Sequence, residues 1–263
     1  SIETENMYMF TIERRNAILE KLQAEKRVVV SELSQIYEVS EETIRRDLEK
    51  LEQDGFAIKS YGGAVMNENV KPEFPFNIRK KMNIAEKQKI AELINGMIKN
   101  GDQIILDASS TAVSIVKRMK DKKDITLITN SAEILIEAST MVSDWRVLST
   151  GGNLVESSLA LVGVHTDRML QSYYVDKAII SAKAISKEHG FFDSDELHAA
   201  NKRTMLQIAR EKILAADSSK FGKTGFAKIG SFADITTVVT DKAPSKDWQE
   251  FFKEKEITCI YPE

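Results

Sequence analysis

Ser40-Glu41-Glu42-Thr43-Ile44-Arg45-Arg46-Asp47-Leu48-Glu49-Lys50-Leu51 is the stretch on which the reading of this chain turns. Advanced by about 100° per residue, it puts Ile44, Leu48 and Leu51 on one side, where they should face a small core. Thr43, Arg46 and Lys50 fall on the opposite side, with Arg45 on a flank. Ser40 is a suitable N-cap, and Glu41 and Glu42 occupy the first turn, where carboxylates meet the positive end of a helix. The stretch therefore reads as a capped amphipathic helix that shows cations and a hydroxyl to solvent.

Its neighbours extend the pattern. Upstream, Ile18, Leu19 and Leu22 share one helical face, and Val28-Val29-Val30 is a short β-branched run. Ser31 is expected to cap a second helix carrying Leu33, Ile36 and Tyr37, and Glu38-Val39 is a tight link. Downstream, Asp54-Gly55 is a stop signal, and Phe56–Tyr61 alternates like a strand before the turn at Gly62-Gly63. Helix, helix, helix and hairpin, in that order, make a helix-turn-helix whose third helix enters a DNA major groove. An arginine there can donate two hydrogen bonds to guanine, and a threonine methyl can touch thymine. Lys50 would assist, while Lys59 and Tyr61, near the hairpin turn, would reach the sugar-phosphate backbone. A plainer reading has Arg45, Arg46 and Lys50 merely solvating the helix and pairing with Glu41, Glu42 and Glu49. The order of elements favours the DNA reading.

The rest of the chain has a different rhythm. Residues 1–10 lack periodicity and read as a disordered leader, and 11–66 hold the helices and hairpin. Residues 67–76 are polar and contain two of the four prolines, which marks a linker. A larger domain is expected over 77–263. It begins with a helix striped by Ile90, Leu93, Ile94, Met97 and Ile98. Strand-like runs follow at Gln103–Asp107, Ile125–Thr129, Arg146–Ser149, Lys177–Ser181, Ile213–Ala216, Thr237–Thr240 and Thr258–Tyr261. Helical stretches separate many of them, notably Ser110–Met119, Ser131–Ser139 and Asp195–Glu211. Apolar strands alternating with helices indicate a mostly parallel α/β domain covered on both faces.

Four loops stand at the carboxyl ends of these runs, the edge where open parallel sheets bind ligands. They are Asp107-Ala108-Ser109-Ser110-Thr111, Thr129-Asn130-Ser131, Thr150-Gly151-Gly152-Asn153 and Asp217-Ser218-Ser219-Lys220. The first runs into a helix start, so the hydroxyls of Ser109, Ser110 and Thr111 and the free amides there suit a phosphate. Asp107 would repel phosphate and should accept sugar hydroxyls or fix its loop. Gly151-Gly152 would let backbone approach a ligand. Lys183, Lys202 and Lys220 can supply positive charge. Taken singly, each of these is more simply a helix cap, a turn or a solvated lysine; their joint position gives them weight.

Composition narrows the alternatives. The 263 residues are 42% hydrophobic and 29% charged, an ordinary globular balance with net charge −3. Nine basic and 13 acidic residues fall in 1–66, so DNA binding there depends on a local cation cluster rather than on bulk charge. The apolar runs are too short to span a bilayer, and the start lacks the order of a secretory signal. Cys259 is the only cysteine, which forbids an intrachain disulfide and suits a reducing cytoplasm. Three histidines without metal-type spacing, and no phosphate-cradling glycine loop or nucleophile elbow, lead us to expect neither metal nor cofactor.

Val39-Ser40-Glu41-Glu42-Thr43-Ile44-Arg45-Arg46-Asp47-Leu48, with Leu51 and then Tyr61-Gly62-Gly63-Ala64, resembles the signature of the DeoR family of bacterial transcription regulators. The loops reading DASST, TNS, GGN and ADSSKFG extend the resemblance over nearly the whole chain. It implies a winged helix-turn-helix on Ser40–Gln53 with its wing around Phe56–Val65, and DNA contacts from Ser40, Thr43, Arg45 and Arg46. It further implies a sensor domain similar in fold to ribose-5-phosphate isomerase, binding a phosphorylated sugar through Asp107, Ser109, Ser110, Thr111, Thr129, Asn130, Gly151, Gly152, Lys183, Glu196, Lys202 and Lys220. Lys202-Arg203 matches the family's Lys-Arg pair. Ser109-Ser110 replaces the usual Gly-Thr, and Lys183 stands where the family has a glycine-rich stretch. The expectation is a non-enzymatic repressor of a carbohydrate operon that binds operator DNA as a homodimer or homotetramer. The alternative is a sugar-phosphate isomerase or transferase with an appended helical domain.

Overall fold

The computed structural model describes residues 11–67 and 74–263; the expected leader at 1–10 and residues 68–73 of the expected linker lie outside the described residues. The chain divides into two compact units, one ending at Ile78 and the other beginning at Arg79.

In the first unit, α1 (Thr11–Glu25), β1 (Arg27–Val29), α2 (Val30–Tyr37) and α3 (Glu41–Gln53) precede the hairpin β2 (Ala57–Ser60) and β3 (Gly63–Met66). The strands form an antiparallel sheet in the order β1-β3-β2. Ile18, Leu19, Leu22, Leu33, Ile44 and Leu48 form the core, each no more than 1% exposed. The β-branched run is divided: Val28 and Val29 pair with β3, and Val30 opens α2. Ser31 is thus inside the helix and does not cap it, contrary to expectation. Val29 holds the N-cap position and supplies no side-chain hydrogen bond. Glu38, left-handed at φ 51°, ends α2 and turns the chain toward Ser40. Gly62 makes the hairpin turn at φ +77°, whereas Gly63 is needed for space. A Cβ on Gly63 would lie 2.1 Å from the Val28 carbonyl oxygen.

Next come α4 (Phe76–Lys81) and, in the second unit, α5 (Ile84–Met97), β4 (Gln103–Leu106), α6 (Ser110–Arg118), β5 (Thr126–Thr129), α7 (Ala132–Ala138) and β6 (Arg146–Ser149). A hairpin of β7 (Asn153–Val155) and β8 (Ala160–Val162) leads into α8 (Val164–Leu170) and β9 (Val175–Ile180). The remainder is β10 (Ala184–Ser186), β11 (Gly190–Asp193), α9 (Glu196–Gln207), β12 (Ala209–Ala215), β13 (Ala227–Gly230), β14 (Thr237–Val239), α10 (Lys246–Glu254) and β15 (Thr258–Ile260).

All seven expected strands join one parallel sheet, ordered β15-β14-β12-β9-β4-β5-β6. Successive residues Ile104–Leu106, Ala178–Ile180 and Ile213–Ala215 are all at most 1% exposed. Side chains alternate between faces along a strand, so both faces of the sheet are covered. The helix expected over Asp195–Glu211 is shorter than its pattern. It ends at Gln207, and Ala209 and Glu211 pair with Val175 and Lys177 of β9. The local helical preference yields there to sheet pairing. The β7–β8 hairpin and the small antiparallel sheet β10-β11-β13 were not foreseen. Their strands span three or four residues, too short for alternation to show. This strand order sets the carboxyl ends of β6, β5, β4, β9 and β12 side by side.

Candidate functional site

The first candidate surface is α3. Its buried side carries Ile44, Leu48 and Leu51, as its periodicity predicts, together with Asp47. Asp47 is nearly inaccessible and is gripped by two arginines of α1. Arg14 Nε lies 2.6 Å from Oδ2 and Arg15 Nε 2.8 Å from Oδ1. This clamp fixes α3 against α1 without using its outer face. Ser40 Oγ accepts from the Thr43 amide at 3.2 Å, which caps the helix. The Ser40 hydroxyl also lies 2.9 Å from that of Thr43, so both are partly engaged with each other.

Arg45 and Arg46 are exposed on the outer face, and each reaches back one turn to an acid. The distances are 2.7 Å for Arg45–Glu41 and 3.4 Å for Arg46–Glu42. Lys50 pairs with Asp54 at 2.8 Å and Lys59 with Glu49 at 3.7 Å. The pairing of the plainer reading is present, with Asp54 in place of Glu49 as the partner of Lys50, and the paired cations face outward. Solvated pairs of this kind contribute about 0.5 kcal/mol or less, so a DNA phosphate or base edge can replace the acid. Tyr61 stands fully exposed at the tip of the β2–β3 hairpin.

In the second unit the carboxyl edge of the sheet gathers several of the expected residues around Asp107. Its Oδ1 accepts from the Ser109 amide at 3.2 Å and hydroxyl at 2.6 Å. Its Oδ2 accepts from the Ser181 amide at 2.8 Å and lies 3.1 Å from Lys202 Nζ. Lys202 Nζ is also 2.6 Å from Asp193 and donates to the Ser181 carbonyl at 2.8 Å. Burial alone would lower the Lys202 pKa, but Asp193 and then Asp107 outweigh it and hold the ammonium above its ordinary range. Burial likewise works to raise the Asp193 pKa, yet Lys202 and then Lys183 keep its carboxyl below the usual range. The centre of this edge is therefore a locked charge cluster in which Asp107 fixes its own loop.

Beside it, Ser109 caps α6 by accepting from the Ala112 amide at 3.0 Å, and the Val113 amide bonds to the Ser109 carbonyl. The Ser110 and Thr111 amides remain as the helix's open donors, since the first turn has no partners of its own. Across the edge, the loop 217–220 is braced by Asp217, which accepts from the Ser219 amide at 3.0 Å, and by Asp241, which accepts from the Ser218 amide at 2.6 Å. Lys220 lies 4.0 Å from Asp217.

Lys87, on α5, was missed by the sequence reading. Its side chain is buried, and Nζ donates to the carbonyls of Arg79 and Met82. Burial lowers its pKa to about 8; Asp217 opposes the shift, while Lys220, Arg79 and Lys183 add to it. Lys220, Arg79 and Lys183, with Asp217 opposing them, thus lie within electrostatic reach of Lys87. The sequence did hold a signal: Lys87 precedes the buried Ile90, Ala91 and Ile94 by three, four and seven residues, so it lies on the buried face of α5.

Other expected residues serve the framework. Thr129 Oγ1 donates to the Leu106 carbonyl at 2.8 Å and accepts from the Ser131 amide at 3.1 Å, stitching β5 to β4. Asn130 Nδ2 donates to the Leu161 carbonyl at 3.0 Å and ties down the β7–β8 hairpin. Gly151 and Gly152 have φ of +64° and +118°. The close approach at Gly152 is to the protein itself, because a Cβ there would sit 2.3 Å from Thr166 Oγ1 and 2.7 Å from the Val162 carbonyl. Glu196 is exposed on the first turn of α9 and forms no ion pair with Lys202 among the described residues.

Comparison with known proteins agrees with this division. Residues 14–70 match the DeoR-like helix-turn-helix domain, and residues 82–242 match the DeoR C terminal sensor domain. The chain is 41% identical to the uncharacterized HTH-type transcriptional regulator YulB of Bacillus subtilis, over 89% of this chain and 90% of that protein. It is 33% identical to the HTH-type transcriptional repressor GlcR of the same species, over 97% of this chain and 98% of that protein. Among solved structures it aligns with ribose 5-phosphate isomerase A of Methanocaldococcus jannaschii at 18% identity, over 51% of this chain and 53% of that one, with a TM-score of 0.38. The alignments to the regulators run nearly end to end and include both α3 and the loops at the carboxyl edge: the chain belongs to the DeoR family of helix-turn-helix transcriptional regulators.

Proposed function

We propose that this regulator is a repressor of a carbohydrate-utilisation operon, and that a sugar monophosphate bound at the carboxyl edge of its parallel sheet controls it. The observation that carries the reading is a separation of charge at that edge. Asp107, Asp193 and Lys202 are bound up with one another, whereas Lys87 lies within electrostatic reach of three cations, Lys220, Arg79 and Lys183, and of one carboxylate, Asp217. A dianionic phosphate suits the second group, and helix amides with cations are a general phosphate site. Ser110 and Thr111 lend hydroxyls to it.

The same cluster speaks against turnover. Acid–base isomerisation needs a carboxylate that is free to take a proton. Asp107 has both oxygens engaged, and Asp193 is held ionised by Lys202. In the first unit Thr43, Arg45 and Arg46 read base edges, Ser40 and Lys50 flank them, and Lys59 and Tyr61 reach the backbone. A repeated half-site suits a homodimer or homotetramer. The repressor assignment is supported by the relative GlcR, which is named a repressor. The ligand acts by binding one arrangement of the DNA-binding units more tightly than another.

A thermal-shift panel of sugar phosphates against their unphosphorylated parents tests the effector class, because a ligand that prefers the folded state raises its stability. At least one phosphate should raise the midpoint and release operator DNA in gel shifts while its parent does neither. A panel in which parents and phosphates act alike refutes the phosphate assignment.

A further inference from the structure

Arg203 follows Lys202 in the chain, yet the two side chains go to different places. Lys202 enters the Asp107–Asp193 cluster. Arg203 is exposed and donates from Nε to the Ile229 carbonyl at 3.2 Å and from Nη2 to the Lys228 carbonyl at 2.7 Å, both on β13. Beside it lies a cleft of about 340 Å³ among α9, β12 and β13, lined in part by Arg203, Gln207, Lys212, Lys228, Ser231 and Asp234.

Three cations in this cleft face one carboxylate. Asp234 Oδ2 is already engaged by the Ser231 amide at 2.7 Å and hydroxyl at 3.0 Å. Neither Lys212 nor Lys228 has an ion-pair partner among the described residues. Two ammoniums without an ion-pair partner among the described residues thus border one cleft in a chain of net charge −3. A guanidinium anchored through Nε and one Nη hydrogen keeps further N–H groups for a ligand, in a fixed orientation that suits bidentate grip on an oxyanion. Gln207 adds an amide able to donate or accept.

We propose that this cleft is a second anion site, built for a small phosphate-bearing molecule and separate from the carboxyl-edge loops. Lys212 precedes Asp217 by five residues along and beyond β12, which sets the two sites roughly 15 Å apart. The net charge of the cleft matches a phosphate dianion, and its volume admits a small monophosphate. Because α9 carries both Lys202 and Arg203, an anion in the cleft and a ligand at the loop edge bear on one helix.

Equilibrium dialysis of the full chain with inorganic phosphate tests this. The double variant Lys212→Glu/Lys228→Glu should lose one bound phosphate per chain, and Arg203→Lys should weaken that phosphate about tenfold through loss of a bidentate contact. Lys220→Glu should leave it in place. The milder pair Lys212→Gln/Lys228→Gln gives the same reading if charge reversal disturbs folding. The proposal is overturned if both double variants bind as many phosphates as the wild type, or if only Lys220→Glu abolishes binding. It is overturned equally by binding that fails to saturate at millimolar phosphate, which marks non-specific attraction. Loss only with Lys220→Glu would leave the loop-edge site standing, so the two sites fail separately.

Discussion

Arg14 Nε lies 2.6 Å from Asp47 Oδ2, and this buried ion pair joins α1 to α3 within the DNA-binding unit. Arg15 holds the other oxygen at 2.8 Å, so the carboxylate is fully taken up inside the unit. The aspartate that follows Arg45-Arg46 is thus a structural residue of the helix-turn-helix unit. Its place is set by its being three residues after Ile44 and one before Leu48, on the buried side of α3.

Asp47→Ala should therefore destabilise the first unit by about 3–5 kcal/mol, because it leaves the buried Arg14 guanidinium without a counter-charge. Chemical denaturation followed by far-UV circular dichroism would measure this. Wild-type stability in the variant would show that the clamp contributes little.

Arg45→Ala and Arg46→Ala should behave in the opposite way. Their partners Glu41 and Glu42 are solvated, so unfolding midpoints should hardly move. Operator affinity should fall by about 1–3 kcal/mol for each arginine that makes a bidentate base contact. Gel-shift titration alongside thermal melting separates the two effects. Unchanged affinity in both variants would remove α3 from the DNA interface.

As part of the proposed phosphate site, Lys87 should link ligand binding to pH. Its pKa is lowered to about 8, chiefly by burial. A bound phosphate would restore the charge, so effector affinity should fall as pH rises through 8, by about eightfold between pH 7.5 and 9 for a strictly required ammonium. Lys87→Met should bind weakly and lose this alkaline decline. For folding the sign is reversed. The unfolded lysine holds its proton more tightly, so the cost of charging Lys87 is present below about pH 8 and fades from there toward 10.5. Calorimetric titration of the active sugar phosphate over that range would show the decline; a flat profile in the wild type removes Lys87 from the site.

Lys202→Met should cost about 3–5 kcal/mol near neutral pH, since it leaves Asp107 and Asp193 buried without their shared counter-ion. In the wild type, Asp193 has a depressed pKa, so its contribution is present above the unfolded value and lost in acid. In the variant the buried carboxylates favour the protonated form, and their penalty disappears as pH falls. The stability gap between the two proteins should shrink between pH 7.5 and 5. A constant gap would mean that the lysine acts only through packing.

Much of the architecture could be read from residue order, because local rules carry it. The spacing of Ile44, Leu48 and Leu51, the Ser40 cap and the Asp54-Gly55 stop define α3 from within a single turn or two of chain. Seven strand-like runs announced the seven strands, most clearly at the centre of the sheet, where strands buried on both faces leave continuous hydrophobic sequence. Partners far apart in the chain were not legible. Asp47 finds Arg14 across 33 positions, and Ser181 finds Asp107 across 74. Only packing could show that Asp107 and Lys202 neutralise each other, that Gly152 makes room for Val162 and Thr166, or that Lys87 is buried against the carbonyls of Arg79 and Met82. The sequence by itself determined the periodicities, caps and order of elements, which depend on bonds between near neighbours. The tertiary structure decided which charges meet, because burial and the distance between remote side chains set the energy of each pair.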